Sequence, residues 1–181
     1  MSGADGGFPE PPATVTDGEG REIDLRVFDG DPAVRDALVE MYVDFDPGDR
    51  AQGIPPVGEA AVRDWLDRLL DDEALNVVAS HDGEPVGHAT LVADPHQGYE
   101  LAIFVSQAYQ GAGVGTELIR HLLGYGAARG VERVWLTVER WNRPAVALYQ
   151  KVGFETTSSE RFEVEMTLDL SDYTESTGCE A

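Results

Sequence analysis

The segment Tyr99–Val105, with the sequence YELAIFV, constrains the fold more than any other part of the chain. It is short and apolar on both faces, as a strand is when helices cover both sides of its sheet. A glycine-rich segment, Gln110–Gly115, and a helical pattern over Thr116–Arg129 follow it closely. This succession predicts a central strand, a tight turn and a helix, in a domain whose helices pack on both faces of one sheet.

The flanking segments supply the other elements of this domain. Asp82-Gly83 between two alternating runs predicts a hairpin, and Asp31 followed by Pro32 predicts a helix start. We expect strands within 21–28, 75–93 (two strands), 99–105, 131–138, 153–157 and 161–170, and helices within 31–45, 55–72, 116–129 and 143–152. The predicted fold class is α/β (mixed α+β), with a central mixed sheet of about six to seven strands flanked by about four helices.

Composition sets the expected domain boundaries. Residues 1–20 are rich in Gly, Pro and acidic residues, which predicts a disordered N-terminal arm. Residues 171–181 have the composition of a polar C-terminal tail. A single domain is therefore expected over residues 21–170, which is long enough for a proper core.

The chain is strongly acidic. Its 34 Asp and Glu residues exceed its 13 Lys and Arg residues, the formal net charge is −21, and Lys151 is the only lysine. Nucleic-acid binding depends on Lys and Arg contacts to phosphates, so we expect no nucleic-acid partner. The composition resembles that of proteins from halophilic archaea, where a screening length of about 3 Å at molar salt cancels most self-repulsion. A solvated acidic surface with no functional meaning is the simpler interpretation of most of these charges.

Cysteine usage and hydropathy limit the compartment and the metal chemistry. Cys179 is the only cysteine, which excludes disulfides and cysteine-cluster metal sites within the chain. No apolar run approaches the roughly 20 residues of a membrane span, and the N-terminus lacks the pattern of a secretory signal. We therefore expect a cytoplasmic protein without a membrane partner. Metal-ligand spacing is also absent from the four histidines, His81, His88, His96 and His121.

Gly111, Gly113 and Gly115 crowd three glycines into five positions before a helix, although glycine costs roughly 0.5–1 kcal/mol relative to alanine in regular structure. An NTPase phosphate loop needs a Gly-Lys pair, which the sequence lacks. The G-x-G-x-x-G fingerprint fails in both registers, since Thr116 and Leu118 occupy its last position. A close strand–helix packing turn and an anion site at the helix N-terminus remain.

Two segments carry a resemblance to a known family. Gln110–Gly115 fits the pattern Q/R-x-x-G-x-G/A, the acyl-CoA pyrophosphate signature of the GNAT acetyltransferase superfamily. Trp141–Phe154, WNRPAVALYQKVGF, is similar to the family's N-x-x-A-x-x-x-Y-x-x-x-G-F pattern. The order of the predicted elements is also that of the family, and the resemblance covers roughly residues 21–170. It implies a GNAT-like fold.

The resemblance implies transfer of an acyl group, usually acetyl, from acetyl-CoA to an amine, with no metal. In the family, the strand that carries Ile103–Val105 diverges from its neighbour and pairs with the pantetheine arm. A backbone N–H near Val105 would polarise the thioester carbonyl. The implied cofactor-binding residues are Ile103, Phe104, Val105, Gln110, Gly111, Ala112, Gly113, Val114, Gly115, Thr116 and Asn142.

Tyr149 and Glu100 are the catalytic residues that the resemblance implies. Tyr149 would protonate the leaving thiolate as general acid, although its helix face also suits a core tyrosine. Some relatives carry a glutamate where this chain has Thr137, which cannot act as a base. Glu100 is the best replacement, unless it is only a solvated carboxylate. Glu139, His96 and a water chain are the alternatives.

The sequence does not name the acceptor or the assembly. Asp44, Asp46 and Asp49 could attract a cationic amine, but solvated surface is the simpler interpretation in so acidic a chain. Family members often dimerise, and the alternating strand at 161–170 could be exchanged in a homodimer. A CoA-binding sensor without turnover and a nucleotide-binding interaction domain are the competing functions.

Overall fold

The structure, a computed structural model, describes residues 7–46, 48 and 54–171 of the 181-residue chain. Eight strands and four α-helices lie in these residues. In chain order they are β1 (Ala13–Thr16), β2 (Glu22–Val27), α1 (Pro32–Val43), α2 (Glu59–Leu69), β3 (Leu75–His81), β4 (Glu84–Asp94), β5 (Gly98–Val105), α3 (Val114–Ala128), β6 (Arg133–Glu139), α4 (Arg143–Val152), β7 (Glu155–Ser159) and β8 (Glu163–Asp169).

The strands form one mixed sheet in the order β1-β2-β3-β4-β5-β6-β8-β7. Every neighbouring pair is antiparallel except β5–β6, which is parallel. The mixed α+β fold with four helices is confirmed. The sheet has eight strands in the described residues where six to seven were expected, because β1 adds one at the edge.

The prediction of a disordered arm over residues 1–20 is wrong for the segment that forms β1. Val15 pairs with Ile23 of β2 and packs against the main core, so a short apolar alternation gains a partner strand. Phe8 also packs against this core, and a Cβ on Gly124 of α3 would overlap the carbonyl oxygen of Pro9. Residues 1–6 lie outside the described residues, as does the expected polar tail beyond Ser171.

The two faces of the sheet carry separate apolar cores. Val77 and Ala79 of β3 point to the face covered by α3, whereas Val78 points to the face covered by α1 and α2, since successive strand residues alternate. Leu118 and Leu122 of α3 are fully buried in the first core. Each contributes roughly 1.5–3 kcal/mol of transfer free energy. No helix in the described ranges is long and apolar enough to span a membrane.

Local signals fixed several element ends as expected. The hairpin between β3 and β4 turns at Asp82 and Gly83, whose φ values of 52° and 84° match a tight two-residue turn. The Asp31 carboxylate accepts a hydrogen bond from Ala33 N–H at 2.9 Å, with Pro32 at the first position of α1. Helix α3 begins at Val114 rather than Thr116, because its N-cap is a glycine that leaves no side-chain signature.

A buried hydrogen-bond chain ties α1 to the sheet. The Tyr42 hydroxyl donates to His88 Nδ1 at 2.6 Å, and His88 Nε2 donates to Asn76 Oδ1 at 2.7 Å, once the tautomer is assigned from the network. Asn76 Nδ2 then donates to the Leu69 carbonyl at 2.8 Å, so the chain runs in one direction. Burial lowers the pKa of His88 to about 3, which keeps the imidazole neutral. His88 is thus a structural histidine beside Phe104, its pairing partner on β5.

Candidate active site

Strands β5 and β6 diverge in the middle of the sheet. Their ladder contains only the pairs Tyr99–Val134 and Glu100–Trp135, whereas β5 stays paired with β4 as far as Val105. The second half of β5 therefore has a free edge facing β6, and the two strands enclose a wedge-shaped gap. This is the divergence that the family resemblance implied for the strand carrying Ile103–Val105.

The backbone of Val105 is directed into this gap. The Ser106 N–H bonds to the Val86 carbonyl at 2.9 Å, across the pair formed by Val105 and Gly87. In an antiparallel ladder this makes Val105 a non-hydrogen-bonded position towards β4, so its N–H and C=O point to the opposite side. The same alternation directs the N–H of Ile103 into the gap. The N–H groups of Ile103 and Val105 are thus available to an extended ligand.

The N-terminus of α3 opens at the end of this edge. Gly113 is its N-cap, and no side chain caps the helix among the described residues. The N–H groups of the first turn, Val114 to Thr116, have no intrahelical acceptor, and the helix dipole adds positive potential there. An anion placed before this turn would meet several convergent donors.

The three glycines of the turn serve different purposes. Gly111 and Gly113 have φ values of 74° and 91°, a region that costs L side chains roughly 1–2 kcal/mol, and a Cβ on either would meet open space. Glycine is therefore required there by the backbone conformation rather than by crowding. Gly115 differs, since a Cβ there would touch Leu148, Ile103 and Val105 at 3.6–3.8 Å, in ordinary contact. Backbone conformation therefore accounts for glycine at the first two positions, and binding of an anion to the exposed N–H groups stays a prediction.

Three adjoining cavities that share Val105 form one groove. The inner cavity, about 290 Å³, lies in the gap between β5, β6 and α4, and the outer cavity, about 310 Å³, lies before α3. A third cavity of about 570 Å³ forms the mouth. The predicted residues along the inner and outer cavities are Glu100, Ile103, Phe104, Val105, Gln110, Gly111, Gly113, Gly115, Thr116, Asn142 and Tyr149.

Two predicted residues do not line the inner or outer cavity. Val114 is buried in the main core, so only its backbone N–H is available to a ligand. The carbonyl of Ala112 accepts a hydrogen bond from Gly18 N–H at 2.8 Å and points away from the groove. Asp44 and Asp46 line a separate cavity of about 450 Å³ beside α1, and Asp49 lies outside the described residues.

Asn142 and Gln110 each make a structural bond that the sequence did not reveal. Asn142 is the N-cap of α4, and its Oδ1 accepts from Ala145 N–H at 3.3 Å. This orientation leaves the Nδ2 group as the free donor at the groove. Gln110 Nε2 donates to the Val105 carbonyl at 3.0 Å and so covers one acceptor of the β5 edge.

Tyr149 lies on α4 with its side chain at the inner cavity. Burial raises the pKa of its phenol to about 12, so the hydroxyl stays protonated at neutral pH. Its ring meets Phe154 edge to face with centroids 5.9 Å apart, which fixes the plane of the ring. Within the described part of the chain the hydroxyl has no hydrogen-bond partner. A protonated phenol in this position can donate to a group that enters the cavity.

Glu100 and Glu139 both border the inner cavity. Partial burial, and secondly the charge of Asp94, raise the pKa of Glu100, although one side of this carboxylate remains exposed and solvent moderates the effect. A carboxylate with a raised pKa is a better proton acceptor for an ammonium group. Thr137 lines the same cavity, as its sequence position suggested, whereas His96 lies in the exposed turn before β5.

Aromatic side chains that sequence reasoning did not assign surround the mouth of the groove. Trp141 is 61% exposed and borders the mouth with Phe104 and Phe45. Its ring contacts Phe162, which is 58% exposed, with centroids 6.2 Å apart. Trp141 directly precedes Asn142 in the motif, which was the available signal, but nothing in the sequence placed Phe162 beside it. The mouth is therefore lined by aromatic rings together with Glu139.

The described residues contain no cluster of three or more His, Cys, Asp or Glu side chains able to hold a metal ion.

Residues 35–154, which include both diverging strands and the turn before α3, match the Acetyltransferase (GNAT) family. The chain belongs to this family. Its relatives include an uncharacterized N-acetyltransferase of Mycobacterium tuberculosis, which is 32% identical over 99 residues. That alignment spans 54% of this chain and 64% of the relative, so the chain covers less than two thirds of the relative's length.

Solved structures show the same fold at low sequence identity. The GNAT domain of S. lividans PAT aligns with a TM-score of 0.75 and 19% identity, over 87% of this chain and 96% of that domain. An aminoglycoside 6'-N-acetyltransferase complexed with coenzyme A aligns with a TM-score of 0.63 and 16% identity, over 81% of this chain and 96% of that one. These likenesses establish the architecture, and that second protein binds coenzyme A.

Proposed function

We propose that this protein is an N-acetyltransferase that moves an acetyl group from acetyl-CoA to a primary amine of a small molecule or peptide. The observation that carries the proposal is the free edge of β5 leading directly to the uncapped N-terminus of α3. An extended thioester arm with a diphosphate at one end needs these two features in this order. Membership of the GNAT family and the coenzyme A complex of a structural relative support it.

The groove residues fit coenzyme A chemically. The N–H groups of Gly113 to Thr116 suit the diphosphate, and the N–H groups of Ile103 and Val105 suit carbonyl oxygens of the pantetheine arm and of its thioester. Asn142 Nδ2 supplies a further donor at the groove. These contacts are short-ranged, which matters because the net charge of −21 repels a polyanion at a distance.

The chain supplies each part of the transfer. Glu100 accepts a proton from the incoming ammonium, so the amine lone pair can attack the carbonyl carbon of the thioester. The Val105 N–H donates to the carbonyl oxygen as negative charge develops on it. Tyr149 donates its proton to the sulfur while the C–S bond breaks and the C–N bond remains. The attached nitrogen loses its second proton to water, which returns a proton to the phenolate, and Glu100 releases the first proton to solvent. The products are the amide, the free thiol and one proton in solution.

The test is release of free thiol from acetyl-CoA across a panel of primary amines, in molar KCl. We expect amine-dependent release that falls about 100-fold in Tyr149→Phe, with little change in affinity for coenzyme A. Tyr125→Phe is the matched control, because this tyrosine lies on α3 under Arg129, away from the groove. Equal turnover in the Tyr149→Phe variant and the wild-type protein would show that Tyr149 is not the acid.

The pH profile tests Glu100. The Glu100 contribution to kcat/KM should be constant above its raised pKa and should fall as pH decreases through that pKa, because the protonated carboxyl cannot accept a proton. Glu100→Gln should lower kcat/KM and remove this acidic limb. The acceptor's own ionisation gives a second limb, which moves when an amine of different pKa is used, whereas the Glu100 limb does not. If the wild-type profile moves entirely with the acceptor, Glu100 is not the base.

A catalytically silent CoA sensor is the second candidate, favoured by Thr137 at the groove position where a family base can lie. It predicts tight coenzyme A binding without thiol release for any amine. A nucleotide-binding domain predicts instead that ATP or NAD competes with coenzyme A. Cytoplasmic location, a halophilic source, the homodimer and the absence of a nucleic-acid partner stay predictions. In this structure β8 is paired on both sides within one chain, by β6 and β7.

A further inference from the structure

The turn between β1 and β2 contacts the loop that leads into α3. Gly18 N–H donates to the Ala112 carbonyl at 2.8 Å, and Arg21 Nη1 donates to the Ala108 carbonyl at 3.2 Å. A Cβ on Gly18 would lie 3.4 Å from the same Ala112 oxygen, so the two backbones are in close contact. Residues 17–21 are thus joined to the diphosphate loop, residues 107–113, at both of its ends.

The bond to Ala112 fixes the direction of the next N–H group. A trans peptide is planar, and its C=O and N–H point in opposite directions. Because the Ala112 carbonyl is held towards Gly18, the N–H of Gly113 must point away from Gly18. Gly113 borders the outer cavity of the groove, and its φ of 91° is the conformation that continues into α3. The β1–β2 turn therefore orients one of the donors proposed for the diphosphate.

Arg21 is itself held by several contacts. The Asp17 carboxylate is 1% exposed and accepts from Arg21 Nε at 2.8 Å, from Arg21 N–H at 2.9 Å and from Glu19 N–H at 2.9 Å. The guanidinium lies over the Tyr109 ring at 4.0 Å, and the Tyr109 hydroxyl is 2.6 Å from His81 Nδ1. A guanidinium with these partners is engaged before any ligand arrives.

The state of Asp17 agrees with this arrangement. Burial opposes ionisation of its carboxyl group, but hydrogen bonds from Arg21 and Glu19 and the charge of Arg21 outweigh burial and lower its pKa. The group is ionised at neutral pH and keeps Arg21 in place.

We propose that Asp17, Gly18 and Arg21 form a brace that holds the diphosphate loop in its binding conformation before coenzyme A arrives. These are positioning residues, since they act on residues 108–113 and not on the ligand. The proposal rests on the proposed coenzyme A site. A preordered loop loses less conformational freedom on binding, so the brace should raise affinity and leave the chemical step alone.

The decisive variant is Asp17→Asn, because two explanations predict opposite signs. If Arg21 touched the phosphates directly, removal of a nearby negative charge would tighten coenzyme A binding. If the turn is a brace, loss of the carboxylate releases Arg21 and weakens binding by about five- to tenfold in calorimetry. Glu19→Gln is the matched control, with the same charge change in the same turn on an exposed side chain, and should alter affinity less than about twofold.

Two variants of Arg21 complete the test. Arg21→Ala should weaken binding about tenfold, and Arg21→Lys should not restore it, because an ammonium cannot both pair with Asp17 and stack flat on Tyr109. Arg26→Ala removes the same charge from β2 and controls for long-range repulsion of the polyanion. At saturating acetyl-CoA, kcat should stay within about twofold while KM rises. A tighter Asp17→Asn protein, or affinity restored by lysine, overturns the brace.

A second measurement needs no ligand. Hydrogen exchange of the amides at residues 110–116 should be about tenfold faster in ligand-free Asp17→Asn and Arg21→Ala than in the control variants, while exchange in β4 and β5 stays unchanged. Unchanged exchange in this loop would overturn the brace even if wild-type protein binds coenzyme A. Faster exchange in a protein that binds no coenzyme A would instead contradict the proposed function and keep the brace. Loss of protection from exchange throughout the sheet would show that a variant had unfolded. Exchange at residues 110–116 would then be measured in the milder variant Arg21→Lys, and unchanged exchange there would overturn the brace.

Discussion

Helices α1 and α3 both begin near the end of a strand, but they treat their first turns differently. In α1 the Asp31 carboxylate accepts from Ala33 N–H, and Pro32 removes one donor, so the helix satisfies much of its own N-terminus. In α3 the N-cap is Gly113, which has no side chain, and the donors of the first turn remain open. The capped end of α1 only connects two elements, whereas the uncapped end of α3 is where we propose that the diphosphate binds.

Helix α2 shows that an open N-terminus alone is insufficient. It also starts after a glycine without a side-chain cap, but neither Gly58 nor Glu59 borders the groove. The difference from α3 lies in the neighbourhood, because α3 starts where the free edge of β5 ends. The proposed site therefore depends on two features together, an uncapped helix and a strand that diverges from its partner.

Closing the open end should have the largest effect. Gly113→Asp gives α3 a carboxylate like that of α1, which competes for the same N–H groups and repels a diphosphate. We expect coenzyme A to bind about 100-fold more weakly in calorimetry, which corresponds to about 2.7 kcal/mol.

Gly113→Ala is the control for that variant, since both residues suffer the positive φ but only aspartate adds charge. The loss of coenzyme A affinity should be several-fold smaller in Gly113→Ala than in Gly113→Asp. Equal losses in the two variants would mean that backbone strain, and not occupation of the donors, explains the effect.

Asn142 combines features of the two helix ends, because it caps α4 as Asp31 caps α1 and it also borders the groove as the N-terminus of α3 does. Asn142→Asp keeps the capping oxygen but removes the amide donor and adds a negative charge. Stability should stay within about 0.5 kcal/mol, while coenzyme A affinity falls about tenfold. Asn142→Ala should in addition lower the free energy of unfolding by about 1 kcal/mol. An aspartate variant that binds like the wild type would limit Asn142 to capping.

Opening the closed end should have the smallest effect. Asp31→Ala removes the cap of α1 and should lower the free energy of unfolding by about 1 kcal/mol in urea titrations at fixed KCl. Coenzyme A affinity should not change, because α1 begins after β2, which is three strands away from β5 in the sheet, and the groove lies between β5 and β6. A clear loss of affinity would show that the two helix ends are coupled.

Local patterns were sufficient for most of the architecture. Period-two and helical spacing located the elements from residue 22 onwards, and Asp82-Gly83 and Asp31-Pro32 located two of their ends. Strand β1 was missed because four residues with a single large apolar side chain, Val15, carry little signal within a Gly- and Pro-rich segment. This strand forms because it pairs with β2, and the composition of the segment does not reveal that pairing.

The site was predictable where a motif covers it and not where distant segments meet. The glycine turn and the α4 motif indicated the groove. The contact of Arg21 with Ala108 joins residues 87 positions apart in the chain. Trp141 and Phe162 lie in two different loops, so no local sequence pattern contains either contact. The second roles of Asn142 and Gln110 were hidden for another reason, since a side chain that binds backbone is visible only once the backbone path is known.

The exposed indole of Trp141 at the mouth of the groove should make the fluorescence of the protein sensitive to ligands. Among the three tryptophans, Trp141 has 61% of its surface in water, while Trp65 and Trp135 are more sheltered. Its emission should respond to whatever fills the space beside Phe104, and acrylamide should quench it selectively. The chain thus carries a built-in fluorophore for screening amines without a label, even before any turnover is measured.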